Sequence, residues 1–192
     1  MRILVTGGAG YIGSHTVKAL IDEGHHPVII DNLIYGHEYI VREVLKVPLI
    51  IGQIGNFQLL KEILLGQHAS LIGTIHEGKT IEAVMHFAAY AYVGESVLDP
   101  LKYYKNNVVE STILLDALCD EDILSKTENH LPIPIVFSSS CATYGNPDRM
   151  PITEETSQNP INPYGRSKLF IEMILHDLAK SVKLRSVILR YF

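Results

Sequence analysis

At 192 residues, 47% of them hydrophobic and 19% charged, the chain has the apolar content of one compact domain with a substantial core, which excludes a disordered or fibrous protein. Its 16 basic and 21 acidic residues give a formal net charge of −5, so there is no broad positive field to draw nucleic acid or an anionic membrane. Met1 and Arg2 run straight into Ile3, Leu4 and Val5, no later stretch is long enough to span a bilayer, Cys119 and Cys141 read as reduced thiols, and the nine histidines lack metal-ligand spacing; the expectation is a cytoplasmic protein without a metal site.

Short Val- and Ile-rich runs alternate with longer segments of helical period, the pattern of an α/β, doubly wound parallel sheet of the Rossmann type. Strands are predicted near residues 2–6, 27–31, 48–51, 82–86, 134–139 and 185–190. In the first helix Ile12, Thr16, Ala19 and Leu20 recur on one face, and Gly24 lies where a left-handed cap is needed. Asp99 and Pro100 form an N-cap and N1 pair for a later helix that turns Leu114, Leu115 and Leu118 inward, and Asn162 and Pro163 do the same for a helix running to about Ser181. Residues 66–80 and 119–134 are long for connections in this architecture and read as surface insertions. No repeat, linker or low-complexity tract divides residues 1–192, which read as one domain.

The first strand leads directly into Gly7, Gly8, Ala9, Gly10, Tyr11, Ile12 and Gly13. A glycine turn opening a helix presents backbone N–H groups to a pyrophosphate; side chains at Gly7 and Gly10 would block the turn or the approach, and Gly13 lets the helix lie close to the sheet. The same spacing also occurs in ordinary glycine turns. The second strand favours the nucleotide reading, because it ends in Asp31, about 20 residues on, where a carboxylate accepts from adenosine ribose hydroxyls. Asp31 would repel a 2′-phosphate, and neither Asn32 nor Leu33 could bind one, so the cofactor expected is NAD rather than NADP.

Tyr164 and Lys168 stand four apart at the start of the last helix and share a face. A free phenol, with a pKa near 10, is a poor base at neutral pH, but an ammonium about 4.5 Å away at an effective dielectric of about 20 contributes roughly 3–4 kcal/mol toward the phenolate. A surface tyrosine with an i,i+4 lysine gives the same spacing. The strand Ile135–Phe137, however, runs into Ser138, Ser139 and Ser140, and a serine at a strand's carboxyl end can bond both a phenol and a substrate oxygen.

With these residues in place the chain resembles the extended short-chain dehydrogenase/reductases, and most closely the UDP-glucose 4-epimerase family, through GGAGYIGSH at 7–15, DNL at 31–33, HFAAYAYVGES at 86–96, YYKNN at 103–107, FSSSCATYG at 137–145, NPYGRSK at 162–168 and LRYF at 189–192. The resemblance implies that Tyr11 and Ile12 meet the pyrophosphate, Asp31 and Asn32 the adenosine ribose, and that Phe87 and Ala88 form the strand edge beside the cofactor. It assigns Asn106, Tyr164 and Lys168 to the nicotinamide end and sets Phe192 at the cofactor's border. Ser140 becomes the hydrogen-bonding serine, Tyr164 the acid/base and Lys168 the residue that tunes it, for oxidation and re-reduction at C4 of a UDP-sugar. Homodimers pairing through helices at 100–118 and 164–181 are also implied. A 4,6-dehydratase is disfavoured, since the positions after the serine hold Cys141 and Ala142 rather than an acid and a base.

The chain also departs from the family pattern. Where the family has Gly-Asp-Ile and a further Asp, this chain has Gly52, Gln53, Ile54, Gly55 and Asn56; the Gln53 carbonyl remains an acceptor for the adenine amino group, so weakened binding beside Gln53 and Ile54 is expected. Ala91 replaces a lysine of some epimerases, which leaves pyrophosphate charge less neutralised. The resemblance further implies that the small C-terminal lobe holding the UDP-sugar lies beyond Phe192, which predicts an exposed sheet edge. A catalytically silent NAD-binding module and a simple NAD-dependent alcohol dehydrogenase remain open alternatives.

Overall fold

The structure, a computed structural model, describes the backbone of residues 1–192 and every side chain except that of Glu128. In chain order the elements are β1 (Arg2–Thr6), α1 (Tyr11–Asp22), β2 (His26–Asp31), β3 (Leu49–Ile51), α2 (Phe57–Leu64), β4 (Ala83–His86), α3 (Val93–Leu98), α4 (Pro100–Tyr103), α5 (Ser111–Leu118), α6 (Glu121–Leu124), β5 (Ile135–Ser140), α7 (Pro163–Ser181) and β6 (Ser186–Tyr191). A π-helical stretch, Tyr104–Glu110, joins α4 to α5, and another, Ile40–Leu45, precedes β3. The strands form one parallel sheet in the order β3-β2-β1-β4-β5-β6, each within a residue or two of its predicted place.

Strand pleating divides the core into two layers. Along β1, Ile3 and Val5 face α1 and the Ile40–Leu45 turn, while Leu4 faces the opposite layer, where α2, α5 and α7 bring Leu60, Leu114, Leu115 and Ile171 against Val84 and Phe137. Side chains of this size each contribute about 1.5–3 kcal/mol on full burial. The caps read from sequence are present: Asp99 accepts from the Lys102 N–H, Asn162 from the Gly165 N–H, and Gly24 closes α1 with φ of +74°. β6 is an end strand of the sheet, and Val187 on it is 55% and Leu189 38% exposed. No helix is long and apolar enough to cross a membrane.

Two sequence expectations are corrected. The inward face of α1 is Gly13, Ser14 and Val17, whereas Ile12 is 42% exposed and Ala19 is exposed. A Cβ at Gly13 would stand 2.2 Å from the Gly7 carbonyl oxygen, so the helix is rotated to put its glycine, rather than its bulkier apolar residues, against the turn. The segments 66–80 and 119–134 are not mere surface insertions: Leu71, Ile123 and Ile133 reach the core, and Lys61 of α2 clasps Asp120 and Asp122.

Between the layers, His86 at the end of β4 is buried, with Nδ1 2.7 Å from the Thr6 hydroxyl and Nε2 2.8 Å from that of Ser111, so one ring ties β1, β4 and α5. Burial, and secondarily the Lys168 charge, lower its pKa to about 3. Between the ordinary value of 6.5 and about 3 the unfolded chain binds a proton that the folded chain refuses, so this group's contribution to stability falls as pH falls, by up to about 1.4 kcal/mol per unit. His86→Asn is expected to be less stable at pH 7 yet to lose less on acidification to pH 4.5; urea denaturation of both proteins across that range measures it, and parallel curves would contradict the assignment.

Candidate active site

Strands β1, β2, β4 and β5 end along one edge of the sheet, and a cavity of about 760 Å³ opens there. The glycine turn and the start of α1 line its middle. No side chain caps Gly10, and the first helical bond back to it is from the Ser14 N–H at 2.9 Å, which leaves the N–H groups of the first turn and the positive end of the helix for an anion. A Cβ at Gly7 would lie 2.6 Å from the Ala88 nitrogen, and one at Gly10 would stand 3.3 Å from the Gly7 oxygen, so the cradle is space that side chains would fill. On this geometry the residues fit a dinucleotide pyrophosphate.

At one end stands Asp31, the last residue of β2. Its Oδ2 accepts from the Ala9 N–H at 3.0 Å and its Oδ1 from the Leu33 N–H at 2.8 Å, bonds that fix the carboxylate while each oxygen keeps a free acceptor site. Asn32 folds its carbonyl onto the Ile34 N–H, and Gln53 and Ile54 enter from the loop after β3. Asn56 caps α2, its side chain accepting from the Leu59 N–H at 3.1 Å. No arginine lines the cavity among the described residues.

At the other end α7 brings in Tyr164 and Lys168. A Cβ at Gly165 would stand 2.4 Å from the Ala142 carbonyl oxygen; the absence of a side chain lets the helix start press against the turn that follows Ser140. The Tyr164 N–H donates to the buried Ser96 hydroxyl, and Ser140, Tyr164 and Lys168 line the same wall. Lys168 donates from Nζ to the Ser138 carbonyl at 2.7 Å and lies 5.0 Å from the centre of the Phe137 ring. Burial lowers its pKa to about 8, against the raising effect of Glu172.

The electrostatic expectation for Tyr164 is corrected. Lys168 Nζ stands 5.9 Å from the phenol ring centre, facing the ring, and donates to the Ser138 carbonyl. Burial raises the Tyr164 pKa, and the Ser140 hydroxyl pulls against that rise. Desolvation of the phenolate therefore outweighs the Ser140 hydrogen bond in the protein alone.

Residues 3–192 match the family described as NAD dependent epimerase/dehydratase family. The chain belongs to this family. It is 43% identical over its whole length to the UDP-glucose 4-epimerase of Lactobacillus helveticus, of which it covers 51%, and 42% identical to the probable UDP-arabinose 4-epimerase 3 of Arabidopsis thaliana, of which it covers 43%. All of it superposes on 51% of the UDP-glucose 4-epimerase from Brucella ovis solved in complex with NAD, with TM-score 0.83 and 48% identity. The chain thus spans about half the length of the relatives it matches.

Among the residues that the sequence singled out, Gly7, Gly10, Tyr11, Ile12, Gly13, Asp31, Asn32, Gln53, Ile54, Phe87, Ala88, Asn106, Ser140, Tyr164 and Lys168 all line the one cavity. Phe192 does not. It lies just past the end of β6, is 83% exposed and stacks on Tyr144, and Tyr191, the last residue of β6, lines the cavity instead.

Sequence reasoning missed the supports. Asn107 clamps Tyr90, accepting from its N–H and donating to its carbonyl, both at 2.9 Å, and so fixes the loop after β4; its place beside Asn106 was the available signal. Glu172, one turn beyond Lys168, accepts from Ser139, Gln158 and Arg190; burial alone would raise its carboxyl, and these bonds together hold it below the usual range. Tyr35, Tyr90 and Tyr92 form an edge-to-face cluster at the rim, and Glu110 lines the cavity one turn after Asn106; no local pattern marks either. The Lys168 ammonium is expected to titrate near pH 8 in the nucleotide-free chain, observable as the shift of its Cε resonance by NMR; a midpoint above pH 10 would show that burial does not control it.

Proposed function

We propose that this chain forms the NAD-binding half of a UDP-sugar 4-epimerase that interconverts UDP-galactose and UDP-glucose. The observation that carries the reading is one cavity holding an uncapped helix N-terminus, Asp31 at one end, and Tyr164, Ser140 and Lys168 at the other. The relatives named UDP-glucose and UDP-arabinose 4-epimerases, and the NAD complex of the Brucella ovis enzyme, support it.

On this reading the first-turn N–H groups of α1 near Tyr11 and Ile12 hold the pyrophosphate, Asp31 and Asn32 the adenosine ribose, and Gln53 and Ile54 flank the base. Phe87 and Ala88 wall the cofactor, and Asn106 orients its nicotinamide end with Tyr164 and Lys168. When bound, oxidised NAD supplies the positive ring that takes and returns the hydrogen at C4. Tyr164 Oη, in its phenolate form, accepts the proton of the sugar 4-hydroxyl and gives it back. Ser140 Oγ bonds both that oxygen and the phenol, countering the desolvation that holds the phenol neutral. Lys168 stays anchored on Ser138, where its remaining N–H groups are placed for ribose hydroxyls. Two copies pairing through the α4–α5 segment and α7 are part of the proposal; the apolar Leu101, Phe170 and Met173, all exposed along these helices, support it.

The test has two stages. The purified chain, denatured and analysed by mass spectrometry, is expected to release NAD or to take it up when offered; a chain that does neither removes the reading. Joined to the carboxyl-terminal half of a UDP-glucose 4-epimerase, it is expected to interconvert the two UDP-sugars. Tyr164→Phe should lower the rate by about 10²- to 10⁴-fold with NAD content unchanged. NAD binding without interconversion in the joined protein would leave a silent binding module, and accumulation of free NADH would indicate a dehydrogenase.

A further inference from the structure

Glu110 closes the π-helical stretch, four residues after Asn106, and both line the cavity. Its side chain lies along the loop after β3: a Cβ at Gly55 would stand 2.9 Å from the Glu110 Cγ. The same residue borders a smaller adjoining cavity of about 490 Å³ with Gln53 and Asn56. No cation pairs with Glu110 among the described residues, and the Gly55 N–H is the donor that meets its carboxylate. Glu110 is half-buried, and burial pushes its carboxyl above the usual range against the Gly55 hydrogen bond.

The position of this carboxylate identifies the donor. Asp31 ends β2, and β3 is the next strand outward, so a dinucleotide laid along the strand ends with its ribose at Asp31 puts its base over the loop holding Gln53 and Ile54. Gln53 can turn its amide to offer either an acceptor or a donor and so tolerates an amino or a keto group on the base. An ionised carboxylate only accepts.

We propose that Glu110 is the base-selecting residue of the cofactor site, accepting from the exocyclic 6-amino group of adenine and rejecting a purine with a 6-keto oxygen. The inference rests on the cofactor reading above and adds the residue that discriminates. Lone-pair repulsion and a lost charge-assisted hydrogen bond together give a preference of at least about ten-fold.

Calorimetric titration of the nucleotide-free chain with NAD and with nicotinamide hypoxanthine dinucleotide tests it. Wild type should favour NAD by at least about ten-fold. Glu110→Gln and Glu110→Ala should bring the ratio to within about three-fold of unity, while Glu43→Gln, an exposed carboxylate outside the cavity, keeps the wild-type ratio. A wild-type ratio retained in both Glu110 variants, or lost equally in Glu43→Gln, overturns the assignment while leaving the cofactor site standing. Failure of wild type to bind either dinucleotide overturns the assignment and the cofactor reading together.

Discussion

Lys168 is 4% exposed, and its ammonium hangs from the Ser138 carbonyl at 2.7 Å. That bond fixes the register of α7 on β5, because the next turn of the helix carries Glu172 onto Ser139 and, across to β6, onto Arg190. An apolar layer could slide by a turn at little cost; a buried cation and a buried carboxylate, each satisfied at one place, cannot. With the helix so held, and with Gly165 against Ala142, Tyr164 has one position available to it, beside Ser140 at the strand end. The chemistry proposed for the cavity depends on that register.

Charge along the cavity is graded. Lys168 supplies a cation at one end, uncapped N–H groups occupy the middle, and the carboxylates of Asp31 and Glu110 lie toward the other end. A ligand that is hydroxyl-rich at one end, anionic in the middle and rich in donors at the far end matches each zone. Burial raises the phenol of Tyr164 and the carboxyl of Glu110 and lowers the ammonium of Lys168, so these three groups are each biased toward the neutral form. A ligand that brings the complementary charge or hydrogen bond recovers that cost, which couples occupancy to protonation.

Much of the fold and the site is legible in the chain itself. The strands are readable because a parallel sheet buried on both faces demands continuous Val and Ile runs, and the helix starts at Asp99 and Asn162 because caps are short-range chemistry. The glycine turn, Asp31 and the Tyr164–Lys168 spacing carry the cofactor site for the same reason: each is a local device within a few residues. What escapes is non-local. Asn107 matters through Tyr90, 17 residues away, and Glu172 through Gln158, Ser139 and Arg190 on three other segments.

The sequence by itself determined the element order, the glycine cradle and the residues that could perform acid/base work, since all follow from local periodicity, backbone sterics and side-chain chemistry. Only the tertiary structure decided that α1 turns Gly13 rather than Ile12 inward, that Tyr191 rather than Phe192 lines the cavity, that Lys168 faces the phenol ring while donating to Ser138, and that Glu110 lines the cavity beside Gly55. Those outcomes depend on how helices and strands pack together. Contacts between distant segments set them, and no short window of sequence contains both partners.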